Sequence, residues 1–312
     1  MTIPSIKAKA LLGASALFAS LTLSASAFAC ACGCGIFDVG TASMFPSGKG
    51  GTVFLEYDYM NQTRNWSGTS KAPAEDNDDK DIRSNFFVAG LQYMFSRNWG
   101  VEVTVPYTDR HFTTTDEDSG DIVSFDHSNL GDIRIHGIYT GFSDDLSTGI
   151  TFGVKLATGD YTYPNFDRDT AIGTGSTDLL LGGFHRGNIT RDGKWGYFAQ
   201  VETDTPVANH NYRPGFEADA AAGIQFNGIS LGSLGKITPI GQVLYSHREH
   251  DKGSSADPAN SGYDRLLLSP GLEYDIGRVM LYGDAEFPVY QDMRGDQLVA
   301  PVLFKFIVSY MF

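Results

Sequence analysis

Every cysteine of the chain sits in one stretch: Cys30, Cys32 and Cys34 within CACGCG, residues 30 to 35. Three thiolates separated by single residues suit a soft ion such as Cu(I), and Gly33 and Gly35 give the backbone freedom to fold round it. Zinc would ask for a fourth ligand, which a new amino group at Cys30 could supply. A disulfide within C-x-C closes a tight, easily reduced ring. Exchange with a periplasmic redox partner, and one structural disulfide with a spare thiol, therefore stay open beside metal binding. There is no C-x-x-C-H, so attached haem is not indicated. Elsewhere the chemistry is thin. His127 and Ser128 of DHSN are neighbours, and neighbours on a strand face opposite ways, which is wrong for a base and its nucleophile. His247 and His250 of HREH have no third ligand close by. The expectation is a protein that is not an enzyme.

The segment before the cysteines says where they work. Lys7 and Lys9 precede an uncharged run that ends in Ala27, Phe28 and Ala29, the A-x-A pattern of a signal-peptidase site. Residues 1–29 are thus expected to be a signal peptide, and 30–50 a cysteine-bearing periplasmic segment. Acylation of Cys30 as a lipoprotein is the rival, but that processing favours an aliphatic residue where this chain has Ala27. Either way the chain lies beyond the inner membrane, where thiols can oxidise.

A net charge of -14 argues against a nucleic-acid surface, since phosphate binding wants clustered Lys and Arg. From residue 50 onward apolar residues recur at every second position, the period of a strand with one apolar face. In TVFLEYDYM, Val53, Leu55, Tyr57 and Tyr59 share a face opposite Glu56 and Asp58. GVEVTVPYTDR and TGITFGVKLA repeat the pattern. Twelve such segments are expected, near 52–61, 83–95, 99–112, 129–142, 146–157, 176–186, 194–204, 214–226, 236–248, 263–275, 278–290 and 298–312. Long polar connections (62–82, 113–128, 158–175, 249–262) alternate with short turns such as SRN at 96–98 and SDD at 143–145. That is the plan of an outer-membrane barrel, in which a closed sheet pairs every backbone group within lipid. The chain ends in LFKFIVSYMF, an outward aromatic stripe carrying Tyr310 and Phe312, the kind of last strand that barrel-assembly machinery recognises. The fold expected for 51–312 is therefore all-β, a transmembrane antiparallel up-and-down barrel of about twelve strands in the bacterial outer membrane, in contact with lipid and lipopolysaccharide.

If the apolar faces meet lipid, the polar ones meet the lumen. Pore-lining positions are then Glu56, Asp58, Glu102, Arg110, Asp132, Arg134, His136, Lys155, Glu202, Glu217, Asp219, Arg248, Arg265, Glu273, Asp284, Glu286 and Lys305. Such a lining is wet or salt-bridged rather than oily, and its acidic excess favours cations or neutral solutes. Acidic loop runs, EDNDDKD at 75–81 and TDEDSGD at 115–121, read as solvated surface.

Residues 154–183, VKLATGDYTYPNFDRDTAIGTGSTDLLLGG, carry Lys155, Thr158, Gly159, Asp160, Gly173, Thr174, Gly175, Ser176 and Asp178. This pattern resembles the K-x-P/A-T-G-D … G-T-G-S-x-D signature of the outer-membrane transporter family labelled meta-pathway of phenol degradation, with Ala157 where proline is common. The resemblance implies a barrel that passes small organic or aromatic molecules. Read from the residues, the motif is an extracellular hairpin end, with Asp160 and Asp178 expected to brace it. Two functions follow: a passive channel for small molecules, needing no cofactor, or a structural sheath for a metal-handling or redox partner recruited by the cysteine tail.

Overall fold

The structure is a computed structural model, described over residues 45–46, 48–116 and 118–312. The expected signal peptide, and Cys30, Cys32 and Cys34, lie outside the described residues.

Among the described residues, alternating apolar and polar positions give sixteen strands: β1 (Gly50–Gln62), β2 (Arg64–Gly68), β3 (Ser70–Lys71), β4 (Asp81–Met94), β5 (Trp99–Thr115), β6 (Ile122–Leu130), β7 (Arg134–Tyr139), β8 (Thr148–Lys155), β9 (Thr177–Asn188), β10 (Trp195–Ala208), β11 (Glu217–Phe226), β12 (Ile229–Ser230), β13 (Lys236–Arg248), β14 (Tyr263–Ile276), β15 (Val279–Val299) and β16 (Leu303–Met311). Twelve of them close an antiparallel ring; β2, β3, β6 and β12 are additions to it. The seam is β1 against β16, from Thr52 opposite Met311 to Met60 opposite Leu303. Phe312 completes it: its N–H donates to the Gly51 carbonyl at 2.9 Å, its carbonyl accepts from the Gly51 N–H at 3.0 Å, and its ring lies where a side chain at residue 51 would be. Tyr310, two residues earlier, faces outward with it.

Leu55, Leu91, Leu181, Val201, Leu272 and Phe306 stand exposed on the outside of this ring. Aromatic pairs edge the band, Trp99 with Tyr139 and Trp195 with Phe226 toward the short turns, Tyr57 with Phe87 toward the long loops. An exposed apolar band edged by aromatics on a closed sheet is the surface of an outer-membrane barrel, with short turns on the periplasmic side and long loops outside.

Two elements depart from expectation. The fourth strand, expected over 129–142, is β7 preceded by β6, most of which lies in 113–128, the stretch expected as a polar connection; both pair with β5. Thr104 faces Arg134 and Tyr107 faces Leu130, so Val105 and Pro106 oppose three residues, Gly131, Asp132 and Ile133, and the wall bulges there. Pro106 has no N–H to give the ladder, and its carbonyl takes the Gly131 N–H at 2.8 Å. The second departure is β15, expected to stop near 290. It runs on to Val299, where its outer end pairs with β2.

The interior is also not polar throughout. Phe54, Met94, Ile138, Phe184, Phe198 and Met280 point inward near the periplasmic ends of their strands and form an apolar floor, and Leu244 and Leu267 carry the same cluster up one side of the wall.

Candidate functional site

Above that floor the charged positions named from sequence turn inward, most of them tied to one another. Register explains the ties. Lys305 on β16 faces Asp58 on β1 and Asp284 on β15. Its Nζ reaches Glu56 Oε1 at 3.1 Å and Asp58 Oδ1 at 3.6 Å. Asp284 Oδ2 accepts from Gln242 Nε2, the Ser269 hydroxyl and the Tyr282 hydroxyl at 3.0, 2.7 and 2.6 Å. Glu273 and Glu286 are buried on the same side, and Arg265 lies over the Tyr263 ring at 4.3 Å. On another arc of the wall Lys155 on β8 faces Asp178 on β9. The lysine contacts that carboxylate and also Asp204 at 3.0 Å. Arg134 joins Glu202 at 3.2 Å and Asp204 at 3.7 Å, and His136 lies 3.5 Å from Glu202. Glu102 accepts from Gln92 at 2.9 Å, Asp219 from Ser246 at 2.6 Å, and Glu217 from Tyr263 at 2.7 Å. Buried carboxylates and ammonium groups hold together only when paired this closely, because each has lost its water.

The outer mouth is covered by the loop between β8 and β9, and the glycine-rich motif is its clasp. Asp132, turned inward by the bulge, accepts from the Gly159 N–H at 2.9 Å with one oxygen. Its other oxygen accepts from the Thr174 N–H at 2.8 Å and hydroxyl at 2.6 Å. One carboxylate thus holds both ends of the loop. The two ends touch at Gly159 and Gly173, where a Cβ on either would strike the backbone of the other. Gly175 turns the chain into β9 at a φ of 64°, left-handed backbone that suits glycine. Thr158 adds a hydroxyl bond to the Gly131 carbonyl at 3.2 Å and takes the Ile133 N–H at 2.9 Å.

The span held by this clasp lies across the mouth. Arg110, expected as lumen lining, donates to the carbonyls of Thr170 and Ala171. Lys80 pairs with Asp167 at 3.1 Å. The Arg168 guanidinium lies 4.3 Å from the Tyr212 ring and 5.1 Å from that of Tyr161, and burial lowers its pKa. Next to it Asp169 has one oxygen shut from water without a hydrogen bond. Burial, with Asp167 and Asp251 nearby, holds this carboxyl well above the usual aspartate range. The loops 209–216 and 249–262 close the remaining arc. Asp251 accepts from the Tyr212 hydroxyl at 2.6 Å, the Gly215 N–H at 2.8 Å and Arg248 at 2.7 Å.

Among the described residues, two hollows below the cap stand out. The outer one, about 190 Å³, is bounded by wall residues of several strands and by Ile172 and Thr174 of the loop. The inner one, about 70 Å³, is lined by Glu102, His136, Glu202 and Gln200. Its floor is Phe45, which precedes the barrel yet stacks on Phe184 inside it at 4.6 Å, while Arg186 holds the Pro46 carbonyl at 3.1 Å. Among the described residues no group of three His, Cys, Asp or Glu is placed to hold a metal ion.

Asp160 and Asp178, expected to brace the loop together, part company. Asp160 takes His127 at 3.1 Å and Asn129 at 3.2 Å, whereas Asp178 is fully buried against Lys155 and Ser176. Sequence reasoning missed the parts played by Asp204, Asp251, Tyr282 and Phe45, and saw Asp132 only as lining. Asp204 stood in period with Glu202 and was there to be found. Phe45 lies in a stretch without periodicity, and nothing local marks it.

No protein-family model and no curated protein sequence matches the chain. Among solved structures it is similar to an outer-membrane channel from Pseudomonas putida F1, with 12% identity over 88% of this chain and 100% of that one and a TM-score of 0.67. It is also similar to the β domain of a Bordetella autotransporter, with 13% identity over 85% of this chain and 100% of that domain and a TM-score of 0.51. At such identities the likeness is one of fold, and the fold is a closed twelve-stranded antiparallel barrel of the outer-membrane kind.

Proposed function

We propose that the chain is a passive outer-membrane channel for small molecules, covered outside by the loop over 156–176 and narrowed inside by Phe45. The observation that carries this reading is the stacked pair of hollows within the closed wall, walled by groups that can exchange hydrogen bonds with a passing solute. A barrel serving only as a scaffold has no need of space between its floor and its cap. The resemblance of residues 154–183 to a transporter signature, and the similarity of the fold to the Pseudomonas outer-membrane channel, support the same reading. Small organic or aromatic compounds suit the size: a cavity of about 150 Å³ holds a benzene molecule, and the outer hollow measures about 190 Å³. Catalysis has no part in this reading. Liposome swelling with the refolded mature protein tests it. Uptake of small neutral solutes faster than in protein-free liposomes is expected; rates equal to the empty liposomes, even with Asp132→Ala, would end the reading.

The second reading, a barrel whose cysteine tail recruits a metal-handling or redox partner, rests on the Phe45 anchor. Cys34 precedes Phe45 by 11 residues, so the anchor tethers the thiols within about 40 Å of the lumen floor. Stoichiometric Cu(I) or Zn on the reduced mature protein, abolished when all three cysteines become Ser, would support it. Metal-free protein that also forms no mixed disulfide in cells would remove it.

A further inference from the structure

We propose that the outer hollow is a binding site for a small organic cation, an ammonium group carried on an apolar body of about one ring. This deepens the channel reading by naming a solute class. The hollow has two unlike sides. Phe86 and Val88 on β4 and Pro106 on β5 give it an apolar wall. Asp204 on β10 and Glu217 on β11 give it an acidic one. Counted round the ring, β4 and β5 lie across the barrel from β10 and β11, so the two walls face each other through the lumen.

Charge decides the sign of the ligand. Five carboxylates and three cations border the hollow, and each cation is already engaged. Lys155 is held by Asp178 and Asp204, Arg134 by Glu202 and Asp204, and Arg248 by Asp251. An anionic solute would have to break one of these pairs. The acidic wall still has one carboxylate to offer, Glu217. Asp204 is 8% exposed, already carries Arg134 and Lys155 on Oδ2, and keeps its Oδ1 shut away from the hollow. Glu217 takes hydroxyl bonds from Tyr263 at 2.7 Å and Ser246 at 3.5 Å, and no cation lies within ion-pair distance of it among the described residues. A carboxylate enclosed with hydroxyl donors but no cation gains a stronger, charge-assisted bond from an ammonium N–H.

A bare metal ion fits less well. It would want three or more converging ligands, and no such group exists among the described residues. An ammonium needs fewer contacts, and its apolar body would cover Phe86, Val88 and Pro106, a wall a hydrated metal leaves unused.

Isothermal titration calorimetry on the refolded mature protein tests the site, with benzylammonium, benzyl alcohol, benzoate and calcium chloride as probes. Benzylammonium is expected to bind at least about tenfold more tightly than benzyl alcohol, with no heat from benzoate or calcium. Glu217→Gln should weaken benzylammonium about tenfold and leave benzyl alcohol unchanged. Val88→Trp, which fills the hollow from the apolar side, should abolish both, with the barrel still folded by its heat-dependent gel mobility. Equal affinities for amine and alcohol, binding of benzoate, calcium as strong as the amine, or an indifferent Glu217→Gln would each overturn the proposal. Solute uptake by the same preparation without benzylammonium binding would reject the cation site and leave the channel reading intact.

Discussion

At the scale of single residues, one carboxylate holds both ends of the cap. Asp132 accepts three hydrogen bonds from the two ends of the 158–176 span, and charge-assisted bonds of this kind are worth about 1.5 to 3 kcal/mol each. Asp132→Ala should therefore release the loop while the β-ladder, which does not use that side chain, keeps the barrel folded. Limited proteolysis would read this as new cleavage between residues 160 and 172 with an unchanged heat-dependent gel shift. Asp169 gives the cap a pH dependence. Its carboxyl is held above the ordinary range, so between that range and its raised value the closed loop keeps a proton that the open loop gives up. Closure is fully favoured at low pH and weakens as pH rises through the raised value. Hydrogen exchange of amides 160–172 is expected to speed up with pH beyond its intrinsic base dependence, and Asp169→Asn should remove that excess.

At the scale of elements, alternation made the wall legible and tertiary partners were hidden. Leu55 out and Glu56 in follow from period two once the alternating long and short connections mark a membrane barrel. The apolar floor left a fainter mark: Phe54 sits between Val53 and Leu55, a run that has to place apolar groups on both faces. The bulge had its signals too, a proline in β5 and Gly131 opposite, but a turn and a bulge read alike in one sequence. The Asp132 clasp could not be read, because its partners lie 27 and 42 residues downstream and nothing local announces them. The same holds for Lys305, whose partners Glu56 and Asp58 stand on the first strand of the ring. Their pairing fastens β16 to β1. Lys305→Met should leave two buried carboxylates without their cation and cost about 3 to 5 kcal/mol. Its readout is a lower unfolding temperature of the refolded barrel, and an unchanged temperature would mean that water or rearrangement supplies the missing charge.

At the scale of the whole molecule, three layers are stacked along the barrel axis. Apolar side chains with Phe45 form the floor, ion pairs form the middle, and clasped loops form the lid. On the channel reading, solutes would have to pass the lid that Asp132 clasps and a middle layer rich in carboxylates. Planar-bilayer recording of the refolded mature protein, wild type beside Asp132→Ala, with reversal potentials taken in a salt gradient, tests this most directly. The account predicts small cation-preferring currents for the wild type and larger ones, with the same preference, for Asp132→Ala. Silence from both proteins, or an anion preference in either, would contradict it.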